Sequence, residues 1–310
     1  MVILTKLNKE DFEKILNNYS IGHYINSKHI PIALTNTVYK VKTTKGNYIF
    51  KLFEKENSKS SLVKFQTKIM SLLTDADFPT PRLIRPNKNR KFIIFKSKPL
   101  MIQEYFEGIH PKKLTESQIK FVALNLAKLH ELLKNVKKAP KYFEFKYWNK
   151  RVLGFPLGNE YNKVLKEFNK IPKTKLKMGV IHGDLTLENL MINNKGNIVI
   201  MDWDGIRRDY LAYELGIFIA HSFITSKTIK RNQLKLFLKS YESRFLLNNY
   251  EKRAIYYFVI LRILNAIDWG EIQLKKHQDR KNKLEPWIKE FIGRYKIMRK
   301  IKVNEFVKIF

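Results

Sequence analysis

The stretch His182-Gly183-Asp184-Leu185-Thr186-Leu187-Glu188-Asn189 runs directly into two short apolar segments, residues 190–192 and 198–201. Asn193-Asn194-Lys195-Gly196 lies between the segments, and Met201-Asp202-Trp203-Asp204 closes the block. Asn and Gly tolerate the left-handed backbone of a tight turn, so the middle of the block predicts a β-hairpin. A hairpin brings the chain back to where it left. A loop feeding such a hairpin can bring Asp184, Asn189 and Asp202 together at one end of it.

Those residue types suit phosphoryl transfer. The reaction needs a carboxylate to take the proton of an acceptor hydroxyl and metal ions to neutralise charge on the phosphates. Asp184 and Asn189 are five positions apart, as are the catalytic Asp and metal-binding Asn of the protein-kinase catalytic loop. Asp202 falls where those enzymes carry a second metal-binding residue, after a hairpin. Asp and Asn are also ordinary turn formers, and it is their spacing around one hairpin that favours chemistry. Asp204 either supports the metal site or caps the turn that follows.

The rest of the chain reads as two lobes. Residues 38–43 and 47–53 are β-rich runs joined at Thr44-Lys45-Gly46, the second carrying Lys51. Residues 62–73 follow, with Leu62, Phe65, Ile69, Leu72 and Leu73 at helical spacing. A second extended pair, residues 91–95 and 99–105, leads to Gly108 and Pro111. A boundary there divides residues 1–106 from 107–310. Beyond it, Thr115 and Gln118 form a capping box ahead of a helix with Ile119, Val122, Leu126 and Leu129 on one face. Residues 178–181 are too short to assign by periodicity. After the hairpin the chain reads as helices to its end, over residues 211–223, 233–245 and 254–268. The expected class is α+β, a small β-rich N-terminal lobe and a larger helical C-terminal one.

Composition narrows the function. Of the 310 residues 44% are hydrophobic and 13% aromatic, enough for an ordered core, and no cysteine is present. Thiol chemistry and disulfides are thereby excluded. No segment approaches the ~18 uninterrupted apolar residues of a membrane span, so a cytoplasmic protein with no membrane partner is expected. The 60 Lys and Arg outnumber the 28 Asp and Glu, for a formal charge of +32. Lysines recur along the whole chain, so no specific nucleic-acid partner is expected. Residues 134–151 interleave Lys and aromatic side chains like a single-strand platform, but a basic loop packed on the larger lobe is the favoured reading.

The block at 182–204 resembles the signature of the aminoglycoside phosphotransferase and choline kinase superfamily, H-G-D-x-x-x-x-N followed by an apolar strand ending in D-W or D-F. The resemblance implies a two-lobed protein-kinase-like fold and ATP- and Mg2+-dependent phosphorylation of a hydroxyl on a small molecule. It implies Asp184 as catalytic base, Asn189 and Asp202 as magnesium ligands, and His182 as a residue that orients the loop. Thr35-Asn36-Thr37-Val38-Tyr39 is similar to the segment that covers the nucleotide, with Thr35 and Asn36 beside it and Lys51 on its phosphates. Gln66 falls where the family carries a helix glutamate paired with that lysine, a departure from its pattern. Gln103-Glu104-Tyr105-Phe106 matches the hinge, where Glu104 and Phe106 would offer backbone groups to adenine. His130, in a helix motif of the family, is read as structural.

Two stretches, residues 35–39 and Asp209-Tyr210-Leu211-Ala212-Tyr213-Glu214-Leu215, look most like the homoserine kinase branch, with Glu214 where that branch usually has Asp. Homoserine or a related amino acid is the expected acceptor. Aminoglycoside, choline and sugar kinases, or a nucleotide-binding pseudokinase, are the alternatives. A homoserine pocket needs a cation and an anion, for which Arg262, Asp268 and Trp269 are candidates.

Overall fold

The computed structural model describes residues 5–30, 36–54, 60–88, 90–136, 139 and 157–310. Thr35 and most of the aromatic-basic segment, residues 137–138 and 140–151, lie outside the described residues. In chain order the strands are Tyr24–His29 (β1), Thr37–Thr43 (β2), Gly46–Leu52 (β3), Leu83–Ile84 (β4), Ile93–Phe95 (β5), Lys98–Glu104 (β6), Met178–Ile181 (β7), Leu190–Ile192 (β8), Ile198–Ile200 (β9) and Arg207–Tyr210 (β10). The helices are Lys9–Leu16 (α1), Ser60–Asp75 (α2), Glu116–Leu133 (α3), Gly158–Asn169 (α4), Leu211–Ser222 (α5), Arg231–Glu242 (α6), Asn249–Lys276 (α7), Lys281–Arg299 (α8) and Val303–Val307 (α9). They group into two compact units, residues 1–109 with 191–201, and 110–190 with 202–310.

The first unit is an antiparallel sheet in the order β1-β2-β3-β6-β4, with β5 also on β6. Strand β2 buries Thr37, Tyr39, Val41 and Thr43 in strict alternation, the period-two pattern of a strand with one face in the core. That face meets Phe12, Ile15 and Leu16 of α1, together with Phe50, Leu52, Leu100 and Ile102. Helix α1 and strand β1 were not anticipated. Asn8 caps the helix by accepting from the Asp11 N–H at 2.9 Å while Asp11 accepts from the Asn8 N–H at 3.0 Å, a capping box with Asp in place of the usual Glu.

Just past β3, Glu54 is 1% exposed and accepts from Thr37 Oγ1 at 2.5 Å, from the Thr5 N–H at 2.9 Å, and from Lys98 Nζ on β6. Burial by itself would raise the Glu54 pKa, but Lys98, Thr37 and Thr5 outweigh it and hold the carboxylate low. Helix α2 buries Val63, Phe65, Ile69, Met70 and Leu73. Leu72, expected on that face, is 42% exposed, because its position lies one residue round the helix from the buried stripe.

The hairpin β8–β9 forms as the sequence requires: Gly196 has φ +80, and Asn193 Oδ1 accepts from the Lys195 and Asn197 N–H groups at 3.0 and 2.9 Å. Residues 191–201 group with the first unit. Ile192 and Ile109 exchange two backbone hydrogen bonds at 2.9 Å, and Ile200 donates its N–H to Pro79 O at 2.8 Å. A Cβ at Gly108 would come within 2.6 Å of Ile192 O, so only glycine permits that approach.

In the second unit α3, α5, α6 and α7 enclose an apolar core, and β7 pairs antiparallel with β10. The expectation of helices alone after the hairpin is corrected here. Residues 207–210 are a strand because residues 178–181 offer them a ladder, a long-range pairing that periodicity does not report. Gly216 lets α5 meet α7, since a Cβ there would lie 2.6 Å from Phe258 Cβ. No described helix is long and apolar enough to cross a membrane. The capping box expected at α3 is present, with Thr115 Oγ1 accepting from the Gln118 N–H at 3.3 Å and Gln118 Oε1 from the Thr115 N–H at 2.9 Å. Replacing Thr115 by Ala is expected to cost about 1 kcal/mol in chemical denaturation of the purified protein.

Candidate active site

Strand β7 ends at Ile181 and delivers His182-Gly183-Asp184 into a loop pinned from below by a buried carboxylate. Glu214, on α5 and fully buried, accepts from the His182 N–H at 2.6 Å and from the Gly183 N–H at 2.8 Å. Burial alone would favour the neutral acid, but His130, His182 and the Gly183 N–H together hold the Glu214 pKa below its ordinary value. His130 Nε2 lies 3.7 Å from Glu214 Oε2, beyond hydrogen-bond length but close enough to act on its charge, while its Nδ1 meets Tyr241 Oη at 2.7 Å. The His182 ring packs on Trp203 at 4.6 Å, and its Nδ1 accepts from the Asp184 N–H at 3.3 Å.

From the other side Arg207 donates through Nη1 to Gly183 O at 3.2 Å and Gly205 O at 3.1 Å, and through Nε to Asp209 at 3.0 Å. Gly183 has φ +82, and a Cβ there would fall 2.0 Å from Gly205 O. Such a clash admits no other residue. A Cβ at Gly205 would in turn lie 3.2 Å from Asp184 Cβ. The loop and the segment leaving the hairpin are therefore locked together, and Asp184 stands beside Gly205.

Asp184 projects from this clamp partly exposed, its side chain 45% accessible. Asn189 Nδ2 donates to Asp184 O at 2.7 Å and to Asp184 Oδ2 at 3.3 Å. Arg262 Nη2 donates to Asp184 Oδ1 at 2.5 Å. Asp202 is exposed and left-handed at φ +58, a conformation that Asp tolerates better than most residues, and its Oδ1 accepts from the Asp204 N–H at 3.4 Å. Asn189 spends its amide nitrogen on Asp184, which leaves Oδ1 for a cation. An oxygen-only set of one amide and one carboxylate fits a hard ion such as magnesium, which fills its shell from phosphates and water. Among the described residues no group of three His, Asp or Glu side chains holds a metal without such help.

In the first unit, Lys51 lies on β3 opposite Val38 and Met101 and is 9% exposed, with Nζ 5.5 Å from the Phe53 ring centre. Gln66 is buried on α2, and Asn36 is buried with Oδ1 accepting from the Glu54 N–H at 3.3 Å. The Glu104 N–H is taken by Arg82 O at 3.0 Å and the Tyr105 N–H by Asn47 O at 3.2 Å. The Phe106 N–H makes no hydrogen bond among the described residues.

Sequence reasoning missed the roles of Arg207 and Glu214. Glu214 had been noted only as part of a branch motif, although a lone carboxylate inside Leu211-Ala212-Tyr213-Glu214-Leu215-Gly216-Ile217 signals a buried charge that must be paired. Arg262, considered only for substrate, carries the same signal within Val259-Ile260-Leu261-Arg262-Ile263-Leu264. Trp269 packs on Trp287 at 5.4 Å and is 44% exposed, and Asp268 is partly buried beside it.

Glu214→Gln would set an amide NH2 against one of the two backbone donors, and a loss of about 2 kcal/mol in stability is expected. Because the folded pKa of Glu214 is depressed, its contribution is fully present above the ordinary value of 4.5 and disappears as pH falls through the folded value. Thermal melts across that acidic window should fall more steeply for the wild type than for Glu214→Gln. Parallel curves would show that the carboxylate is not ionised in the folded protein.

Comparison with known proteins bears on the family and the fold. A homoserine kinase of Rhodopseudomonas palustris (strain BisB18) is 27% identical over 277 residues, which cover 82% of this chain and 81% of that one. An amicoumacin kinase solved in complex with AMP-PNP, Ca2+ and Ami superposes with a TM-score of 0.71 at 16% identity, covering 94% of this chain and 95% of the other. A microcompartment-associated aminopropanol kinase gives 0.69 at 16% identity, covering 98% and 100%. These likenesses establish the kinase-like fold. Residues 28–256 match the phosphotransferase enzyme family, a span that includes strands β2 to β10 and the whole Asp184 loop, so the chain belongs to that family as a small-molecule kinase.

Proposed function

We propose that the protein transfers the γ-phosphate of ATP, with Mg2+, to the side-chain hydroxyl of homoserine or a closely related hydroxy amino acid. The observation that carries this reading is Asp184, a partly exposed carboxylate held between Asn189 and Arg262 on a loop that Glu214 and Arg207 immobilise. A base held this rigidly meets an acceptor hydroxyl with little reorganisation. Asn189 and Asp202 would hold the metal, which supplies neutralising charge for the phosphates. On the first unit, which we read as the nucleotide-binding lobe, Lys51 is assigned to the α- and β-phosphates. Asn36, together with Thr35, belongs to the covering segment, and Gln66 stands in for the family's helix glutamate. The hinge segment at Glu104 would offer the Phe106 N–H to the adenine. The relatives named homoserine kinase favour that acceptor, and a soluble metabolite and ATP as substrates fit a cytoplasmic setting.

The test is ADP release with Mg2+ and ATP across homoserine, other hydroxy amino acids, choline, sugars and aminoglycosides. Homoserine or a near relative should stimulate turnover, and Asp184→Ala should lower kcat by about 100-fold to 10,000-fold. Asp202→Asn, which keeps the turn but removes a charge, should raise the Mg2+ concentration needed for half-maximal rate. Stimulation by choline or an aminoglycoside alone would overturn the assignment of the acceptor, and full activity in Asp184→Ala that of the base.

A further inference from the structure

Arg262 reaches Asp184 from the middle of α7, where it is the lone cation in a long apolar run. Its side chain is 20% exposed, and Asp184 is its only anionic partner among the described residues. Two of the five guanidinium N–H groups are used, Nη2 on Asp184 Oδ1 at 2.5 Å and Nε on His221 Nε2 at 3.1 Å. Neither N–H on Nη1 has a hydrogen-bond partner among the described residues. An arginine kept only to orient Asp184 would not need to leave that edge of its fork unspent beside an exposed base.

The neighbours of Arg262 keep its charge from being quenched. Burial, then the positive charges of Arg262 and Arg294, push the His221 pKa well below its ordinary value, so His221 is a neutral acceptor for the Nε proton. Arg294 is itself occupied, with Nη1 donating to Ala220 O at 2.9 Å and Nε to Glu290 at 3.1 Å. An aromatic wall continues from His221 through Phe291 at 5.1 Å and Trp287 at 4.4 Å to Trp269 at 5.4 Å. Trp269 follows Arg262 by two helical turns and shares its face of α7. The result is a cation next to the base whose Nη1 donors have no partner among the described residues, with an aromatic wall leading away from its neighbour His221.

We infer that Arg262 binds the carboxylate of the acceptor, and that this kinase therefore selects small hydroxyl compounds that carry a carboxylate. The inference rests on Asp184 being the base, as proposed above. A guanidinium fork matches a carboxylate geometrically. Gripping that group through Nη1 leaves the short carbon chain to bring the hydroxyl to Asp184. Without an acceptor, Asp184 is the one anion that faces Arg262 among the described residues.

The experiment measures KM and kcat separately for homoserine, for γ-hydroxybutyrate, which keeps the carboxylate but lacks the ammonium, and for aminopropanol, which keeps the ammonium but lacks the carboxylate. Wild type, Arg262→Lys and Arg262→Gln are compared, with ATP binding followed by thermal shift as a control for folding. Wild type should favour homoserine over aminopropanol. Arg262→Gln should raise the KM for homoserine by about 100-fold, Arg262→Lys should recover part of that loss, and the KM for aminopropanol should change little, any fall in kcat from the lost Asp184 contact being shared by both acceptors. A fall in kcat in Arg262→Gln with KM unchanged would overturn the inference, because Arg262 would then act only through Asp184. Wild-type preference for aminopropanol would also overturn it while leaving a small-molecule kinase. Silence toward all three compounds would remove the amino-acid reading and the inference with it.

Discussion

The active loop depends on one buried charge. Glu214 has no access to water, yet it is held ionised because two backbone N–H groups and two histidines face it. A carboxylate in that setting is costly unless every lone pair is used, and the same requirement makes it a strong geometric constraint. Both donors come from consecutive residues, His182 and Gly183, so satisfying the charge also sets the path of the backbone immediately before Asp184. Arg207 completes the arrangement from the opposite side by taking the Gly183 and Gly205 carbonyls. The loop's N–H groups are held by an anion and its carbonyls by a cation, and the positive φ of Gly183 lets the chain pass between them.

This scaffold explains why the chemistry-bearing residues need little support of their own. Asp184 is half-exposed and Asp202 exposed, and the path of the backbone at Asp184 follows from contacts of Gly183 and Gly205 that do not involve its carboxylate. Asn189 ties itself to Asp184 through its amide nitrogen and thereby presents its oxygen. Arg262 adds charge from the middle of α7, a helix whose buried residues other than Glu251 in its first turn are apolar. Stability and reactivity are thus separated: the buried ionic groups shape the loop, and the half-exposed ones remain available to ligands. A similar separation holds in the first unit, where Glu54 and Lys98 brace the strands while Lys51 lies on β3 close by.

Much of this was legible in the sequence. The 193–196 turn, the capping box at Thr115 and the 38–53 hairpin were all readable, because each depends on residues a few positions apart with strong local preferences. The spacing of Asp184, Asn189 and Asp202 identified the loop for the same reason. Strand β10 and helix α1 were missed. Residues 207–210 become a strand only because residues 178–181 lie alongside them, and α1 is short, with Asp completing its cap where Glu or Gln is the usual signal.

The sequence by itself determined the local grammar of the chain: where the 193–196 turn lies, where α3 is capped, and that Asn189 follows Asp184 closely enough to reach it. The tertiary structure decided which charges are buried and what each one faces. Glu214 on the Asp184 loop, Arg207 on the Gly183 carbonyl, Arg262 on Asp184 and the grouping of residues 191–201 with the first unit are all pairings across long stretches of chain. A carboxylate or guanidinium in an apolar run announces that it must have a partner, but the identity of that partner is set by packing geometry, which no local pattern encodes.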